Sequence, residues 1–319
     1  MSGMRRREFI ERSVAVGVGV VALSHAPVLG EGAKGKAIVV KAVRDNATTD
    51  KKIDAAVVKE MVNAVVCKLS GKAKPEDAWK TYVKPTDVVA VKINCLFGIG
   101  AATHPEVTAA VVEGIQMAGV PADKIIVWDK SDGDLKKSGY TISNGPGVRT
   151  IGVNGAWEDT PTDIHTCKGR LAKILTQECT ALISVPILKT HSISGITFAM
   201  KNHYGSFHNP GEAHANKCDP FLAHLNNLKC IREKTRLILC DALLPVADGG
   251  PQAHAEWTWE YKAIMAGTDP VALDAVGLEI LQTQRKTLGK PPVAAPCVAT
   301  AAKMGLGVDD LSQIEVVTA

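Results

Sequence analysis

The segment from Lys189 to His214 holds the densest set of side chains able to do chemistry in this 319-residue chain. It reads Lys189-Thr190-His191, then a largely apolar or small-residue run from Ser192 to Met200. Lys201-Asn202-His203-Tyr204-Gly205-Ser206-Phe207-His208 follows, and His214 ends the segment. Imidazole is a common transition-metal ligand and the usual acid or base near neutral pH. His191 and His203, with Lys189 and Lys201, are therefore the catalytic candidates. The spacing matches no named zinc motif, so a metal reading calls on His208 and His214 with Asp129 and Asp241 as further donors. A plainer reading stands beside it, in which His203 is a hydrogen-bonded core residue and His208 and His214 sit on exposed loops.

Lys92, Lys189 and Lys201 can converge on a carboxylate, phosphate or sulfate, because ammonium groups gathered in a partly dry cleft bind anions. Their mutual repulsion can bring one lysine's pKa into the range of a base. Asn94 and Asn202, beside Lys92 and Lys201 in the sequence, are the candidate substrate-binding amides. A lysine that snorkels to solvent is the alternative at each position.

These residues need a scaffold, and the apolar pattern supplies one. Short apolar runs bounded by charged or turn residues predict strands over 37–43, 88–93, 124–128, 149–153, 181–185, 236–240 and 262–266. Helical patterns predict helices over 53–69, 105–117, 171–178, 220–231, 270–281 and 298–304. Strands alternating with helices indicate an α/β fold with a mainly parallel sheet and flanking helices, whose ligands bind beyond the carboxyl ends of the strands. Lys92-Ile93-Asn94, Asp129, Lys189-Thr190-His191 and Asp241 all fall at or just after predicted strands, with His104-Pro105 opening the next helix. Asp269 followed by Pro270 reads as a helix N-cap. Asp274, inside that helix among apolar residues, calls for a partner such as one of the lysines. Gly249 and Gly250 read as a place where backbone approaches a ligand.

Arg5-Arg6-Arg7-Glu8-Phe9-Ile10 opens a basic segment, an apolar run covers residues 14–23, and small residues follow at Ser24, Ala26 and Gly30. That order predicts a twin-arginine signal peptide over residues 1–30, with cleavage between Ala26 and Ala33 and the translocase as a partner during export. The run is too short for a stable membrane anchor, since spanning takes roughly 20 residues. The remainder, 31–319, reads as a single α/β domain that works in the periplasm or is otherwise exported. Removing residues 1–30 lowers the formal charge from +4 to about +2, too little for the basic patch of a nucleic-acid binder. The eight cysteines show no C-x-x-C spacing and no ferredoxin-type iron–sulfur motif. Cys218, between Lys217 and Asp219, is the one most open to a chemical role.

Val91-Lys92-Ile93-Asn94, the 186–191 segment, the 197–205 segment with Lys201-Asn202, and Gly267-Thr268-Asp269-Pro270-Val271-Ala272-Leu273-Asp274 occur in that order. Together they resemble the bacterial and archaeal family called "domain of unknown function 362", over most of residues 85–280. Some members carry ferredoxin-like cysteines and are described as iron–sulfur proteins; this chain lacks those motifs. The resemblance therefore implies a fold and a choice of site residues rather than a reaction. The leading expectation is an exported enzyme acting on a small anionic substrate, with a divalent or transition metal as an optional aid. Hydrolysis, elimination and isomerisation are all open. The alternatives are a metal-carrying redox protein built on Cys218 and neighbouring histidines, and a noncatalytic anion-binding protein.

Overall fold

The structure is a computed structural model that describes residues 36–319. The signal peptide expected over residues 1–30 lies outside the described residues. In chain order the elements begin with β1 (Ala37–Val43), β2 (Thr48–Thr49), β3 (Lys52–Ile53), α1 (Ala55–Ser70), α2 (Pro75–Trp79) and β4 (Val89–Ile93). Next come α3 (Pro105–Met117), β5 (Ile125–Asp129), α4 (Asp132–Lys137), β6 (Arg149–Gly152), β7 (Thr162–Ile164) and β8 (Cys167–Gly169). They continue with β9 (Ala181–Val185), β10 (Ile187–His191), β11 (Gly195–Thr197), α5 (Phe221–Asn226) and α6 (Lys229–Arg232). The last are β12 (Thr235–Val246), β13 (Ala263–Gly267), α7 (Pro270–Thr287), α8 (Pro296–Lys303) and β14 (Ile314–Thr318).

Ten strands form one sheet, whose main path runs β14-β1-β13-β12-β9-β4-β5-β6. The run β12-β9-β4-β5-β6 is parallel throughout. The expected mainly parallel α/β fold is therefore observed. At the other edge β13 runs antiparallel to both β12 and β1, and β14 adds parallel to β1. Strand β4, β5 and β9 are buried along their whole length, as strands covered on both faces must be.

One face packs under α1, α2 and α3 through Val58, Met61, Val65, Trp79, Val111 and Ile115. The other packs under α5, α7 and α8 through Phe221, Leu222, Leu273, Leu281 and Cys297. Asp54 caps α1 by accepting from the amides of Ala56 and Val57, and Gly71 ends it in the left-handed region (φ 70°). Asp269 caps α7 as expected, with Pro270 in the first turn. Among the described residues no helix is long and apolar enough to cross a membrane.

The structure differs from the sequence expectation at several points. Lys189-Thr190-His191 is the end of a buried strand, β10, that forms a hairpin with β11 and also pairs with β12. The expected 236–240 strand runs on to Val246. The 171–178 helix is a wide π-type turn over Ile174–Glu178, and the 220–231 helix is split into α5 and α6. Asp274 pairs with no lysine. Its two oxygens accept the backbone N–H groups of Ala199 (2.7 Å) and Met200 (3.2 Å), and so hold the turn that precedes Lys201. Gly249 and Gly250 line a recess of about 380 Å³, and protein also approaches them closely: a Cβ at Gly250 would strike the Thr190 backbone, and one at Gly249 the His254 ring.

Burial raises the Asp274 carboxyl to about 7, against the pull of the two amides. Replacing it by alanine orphans two buried donors, at about 1–3 kcal/mol each. Urea unfolding of Asp274→Ala at pH 5 should show that loss. The wild-type advantage should shrink as pH rises from 5 through about 7, because a raised carboxyl pKa contributes stability that ionisation removes.

Candidate functional site

A cavity of about 110 Å³ opens at the carboxyl ends of β4 and β5, walled on the far side by the β10–β11 hairpin and the Lys201–Ser206 turn. A cavity of this size takes a small ligand or the head of a larger one. Of the residues singled out from sequence, Lys92, Asn94, Asp129, Lys189, His191, Lys201, Asn202 and His214 line it together. The local geometry explains the convergence. Side chains alternate along a strand, so Lys189 and His191 share one face of β10. Lys201 and Tyr204 are one turn apart on a 3₁₀ segment and meet on the same side.

The three lysines are all buried, yet their partners differ. Lys92 is saturated: its Nζ donates to Asp129 Oδ1 (2.7 Å), the Ile93 carbonyl (2.6 Å) and, longer, Asn202 Oδ1 (3.5 Å). Lys189 Nζ donates to the Ala101 carbonyl (2.5 Å) and Asn94 Oδ1 (3.3 Å), both neutral. Burial without a contacting carboxylate lowers its pKa to about 7. Lys201 Nζ donates to His214 Nε2 (3.1 Å) and Cys218 Sγ (3.5 Å) and lies 3.0 Å from the Tyr204 ring centroid. Burial brings it to about 8.

His191 has a fixed tautomer. Its Nδ1 accepts the amides of Ile193 (3.1 Å) and Ser194 (3.3 Å) in its own hairpin turn, which leaves the proton on Nε2. Burial, then the charges of Lys201, His214 and Lys189, lower its pKa to about 3. The ring is therefore neutral across the working range and offers an Nε2–H donor with no partner among the described residues. His214 stacks on it at 5.4 Å, with Nδ1 on the Gly211 carbonyl and Nε2 taken by Lys201. Asn202 is committed to structure, donating to the Lys92 carbonyl and Ser184 Oγ at 2.9 Å each. Opposite Lys189 on β11, the buried Thr197 hydroxyl lines the cavity without a hydrogen-bond partner among the described residues.

Three candidates do not join this group. His203 points to the other side of its turn, where it is buried with Nδ1 on Ser206 Oγ (3.2 Å) and its pKa is lowered to about 3 by burial and then Lys92. It is the hydrogen-bonded core histidine. His208 is exposed and packs edge-on against Trp157. Asp241 is buried and accepts from His104 Nδ1 (2.7 Å) and the His104 amide (2.9 Å). Of the expected metal set, His214 and Asp129 share the cavity wall, whereas Asp241 is bound to His104 and His208 packs on Trp157, so the four do not line this cavity together. Among the described residues no group of three or more His, Cys, Asp and Glu is placed to hold a metal.

Cys218, the cysteine most open to a chemical role by its polar neighbours, is fully buried behind Lys201. All eight cysteines are free thiols. Sequence reasoning missed Thr197, Tyr204, Lys130, Asp134 and Leu96, which also border the cavity. Lys130 and Asp134 follow β5, so the strand-end rule that found Asp129 reaches them too. Nothing in the sequence marks Thr197.

A family model described as "Domain of unknown function (DUF362)" matches residues 89–279, which carry every cavity-lining residue. No curated protein matches the chain. A crystal structure of a protein from Thermotoga maritima is similar at 12% identity, with a TM-score of 0.42. The match covers 79% of this chain and 59% of that one, so this chain spans less than two thirds of its length.

Gly205 sits against the buried Lys92–Asp129 pair. A Cβ there would lie inside the Asp129 carboxylate and 2.8 Å from Lys92 Nζ, whereas a Cβ at Gly211 meets nothing within 4 Å. Gly205→Ala should cost about 1–3 kcal/mol by overpacking, and Gly211→Ala should stay within about 0.5 kcal/mol of wild type. Parallel denaturant titrations of the two variants check this.

Proposed function

The chain belongs to the family described as "Domain of unknown function (DUF362)", which names no reaction, and we propose from the site that it is an enzyme acting on a small anionic substrate. The observation that supports this reading is geometric. Lys189, Lys201 and His191 surround one cavity, and none has a carboxylate among its hydrogen-bond partners. An oxyanion supplies the acceptor that these donors lack. The two carboxylates on the wall do not compete for it, since Asp129 holds Lys92 and Asp134 accepts from Ser131.

Elimination and isomerisation fit this set better than hydrolysis, because both begin with loss of a proton beside a carboxylate or carbonyl. Lys189, as the neutral amine, takes that proton from carbon. The C–H electron pair moves into the adjacent C–C bond as the carbonyl π pair shifts onto oxygen. The His191 Nε2–H and the Lys201 ammonium then hold the resulting oxyanion. Such a step needs Lys189 deprotonated and Lys201 protonated, while His191 stays neutral. The noncatalytic alternative uses the same well as a binding site alone.

Proton abstraction is read directly by hydrogen–deuterium exchange at carbon, followed by NMR, for a panel of small 2-keto and 2-hydroxy acids in heavy water. Exchange should follow a bell between about pH 7 and 8, from the lowered Lys189 and Lys201 values. Lys189→Arg, which stays protonated, should lower it at least a hundredfold with the fold intact. Wild-type exchange in Lys189→Ala would remove that lysine from the mechanism. Binding of a panel acid with no exchange at any pH would favour the noncatalytic alternative.

The proposed workplace is outside the cytoplasm, from the Arg6-Arg7-Glu8-Phe9-Ile10 segment and the apolar run behind it. Changing Arg6 and Arg7 to lysine together should leave the full-length chain in the cytoplasmic fraction. An unaltered distribution on fractionation would refute twin-arginine export.

A further inference from the structure

The loop between β4 and α3 has polar ends and an apolar tip. At its base the Asn94 amide donates to Thr103 Oγ1 (3.0 Å) and the Thr103 amide to the Asn94 carbonyl (2.7 Å). Cys95 N–H is held by Asp129, and the Ala101 carbonyl by Lys189. Between these ties the chain displays Leu96, Phe97 and Ile99, which are 49%, 45% and 76% exposed. Three large apolar side chains in water beside a cavity are costly in an otherwise well-buried fold.

The loop separates two recesses. Leu96 lines the basic well already described. Ile99 and Gly100 line a neighbouring groove of about 660 Å³, whose wall combines the apolar Ile53, Pro105, Leu244 and Ala253 with Lys51, Lys52, His104 and Glu106 at its polar side. On the opposite bank Pro251 borders the well and Ala253, two positions on, borders the groove. Gly100 is the point where the loop comes nearest that bank, since an added Cβ would lie 3.1 Å from the Ala253 side chain.

We propose that the substrate is amphipathic, with an oxyanion head in the Lys189–His191–Lys201 well and an apolar tail that crosses Leu96 into the groove beside Ile99. This rests on the anion-well reading and adds the substrate class. The tail, rather than a separate partner, is the occupant because one loop forms a wall of both recesses. Its polar ends are held by the same Asp129 and Lys189 that shape the well. A well of about 110 Å³ takes a carboxylate and its nearest carbons, so a longer chain must leave it, and the apolar exit is over Leu96.

Calorimetric titration of the folded chain with acetate, butyrate, hexanoate and octanoate tests the proposal. Affinity should rise about fourfold per methylene once the chain passes Leu96, the gain expected from burying one CH₂. In Ile99→Ser, a change at a largely exposed position, the octanoate-to-acetate affinity ratio should fall at least tenfold. Acetate bound by wild type but lost in Lys189→Ala, with no gain along the series, overturns the tail groove and leaves the anion well standing. Octanoate bound equally by wild type and Lys189→Ala overturns the well, and with it the head-and-tail assignment. A concentration-dependent rise in mass by sedimentation that Ile99→Ser abolishes would assign the apolar tip to contact between copies, and also overturns the proposal.

Discussion

Lys92 and Asp129 form an ion pair that is almost wholly removed from water, and the site is arranged around it. Lys92 lies near the end of β4 and Asp129 at the end of β5, so the pair joins two neighbouring parallel strands at their carboxyl ends. Through its second oxygen Asp129 accepts the Cys95 amide and fixes where the following loop departs. Through Asn202, Lys92 also holds the 3₁₀ turn that carries Lys201. Such a pair adds little net stability, because the desolvation of two charges offsets their attraction. Breaking it is another matter, since a lone buried charge costs about 3–5 kcal/mol. The arrangement is therefore one that tolerates no partial loss, and Gly205 is the residue small enough to close over it.

The same pair sorts the lysines. One carboxylate is present at the floor, and Lys92 holds it. Lys189 and Lys201 are left with carbonyl, amide, imidazole and sulfur partners, with no carboxylate among them. Burial then acts on them unopposed by a contacting carboxylate, and both are lowered toward neutrality. His191 is controlled differently. Two amides of its own turn occupy Nδ1, so the ring cannot gain a second proton without expelling a backbone bond. The result is a well whose donors have distinct electrical states at one pH, which a cluster of three exposed lysines would not have.

Much of this was legible in the sequence, and the reason is the parallel sheet. Strands buried on both faces are continuous apolar runs, so β4, β5 and β9 announce themselves, and the strand-end rule then selects Lys92, Asn94, Asp129 and Lys189. What stayed hidden depends on direction rather than type. Lys189-Thr190-His191 reads as a polar tail because a buried strand with a lysine and a histidine facing a cavity has no apolar periodicity to show. His203 lies between two cavity residues in sequence, yet three residues per turn sends it to the opposite side. Cys218 has polar neighbours, but its thiol turns inward to Lys201. The strand over 262–266 was expected but its antiparallel direction was not, since the apolar content of a strand says nothing of its direction, and β14 was not expected at all.

The loop after β4 joins these two themes. Its ends are fixed by Asp129 and Lys189, groups whose own states are set by the buried charge arrangement, and its tip carries Leu96, Phe97 and Ile99 outward. A loop of this composition would collapse onto the nearest apolar surface if its ends were free, because burying such side chains is favourable by about 1.5–3 kcal/mol each. Polar anchoring at both ends keeps the tip displayed between well and groove. The buried ion pair that organises the basic floor thus also holds the apolar rim in place, so the proposed head and tail sites rest on one electrostatic constraint.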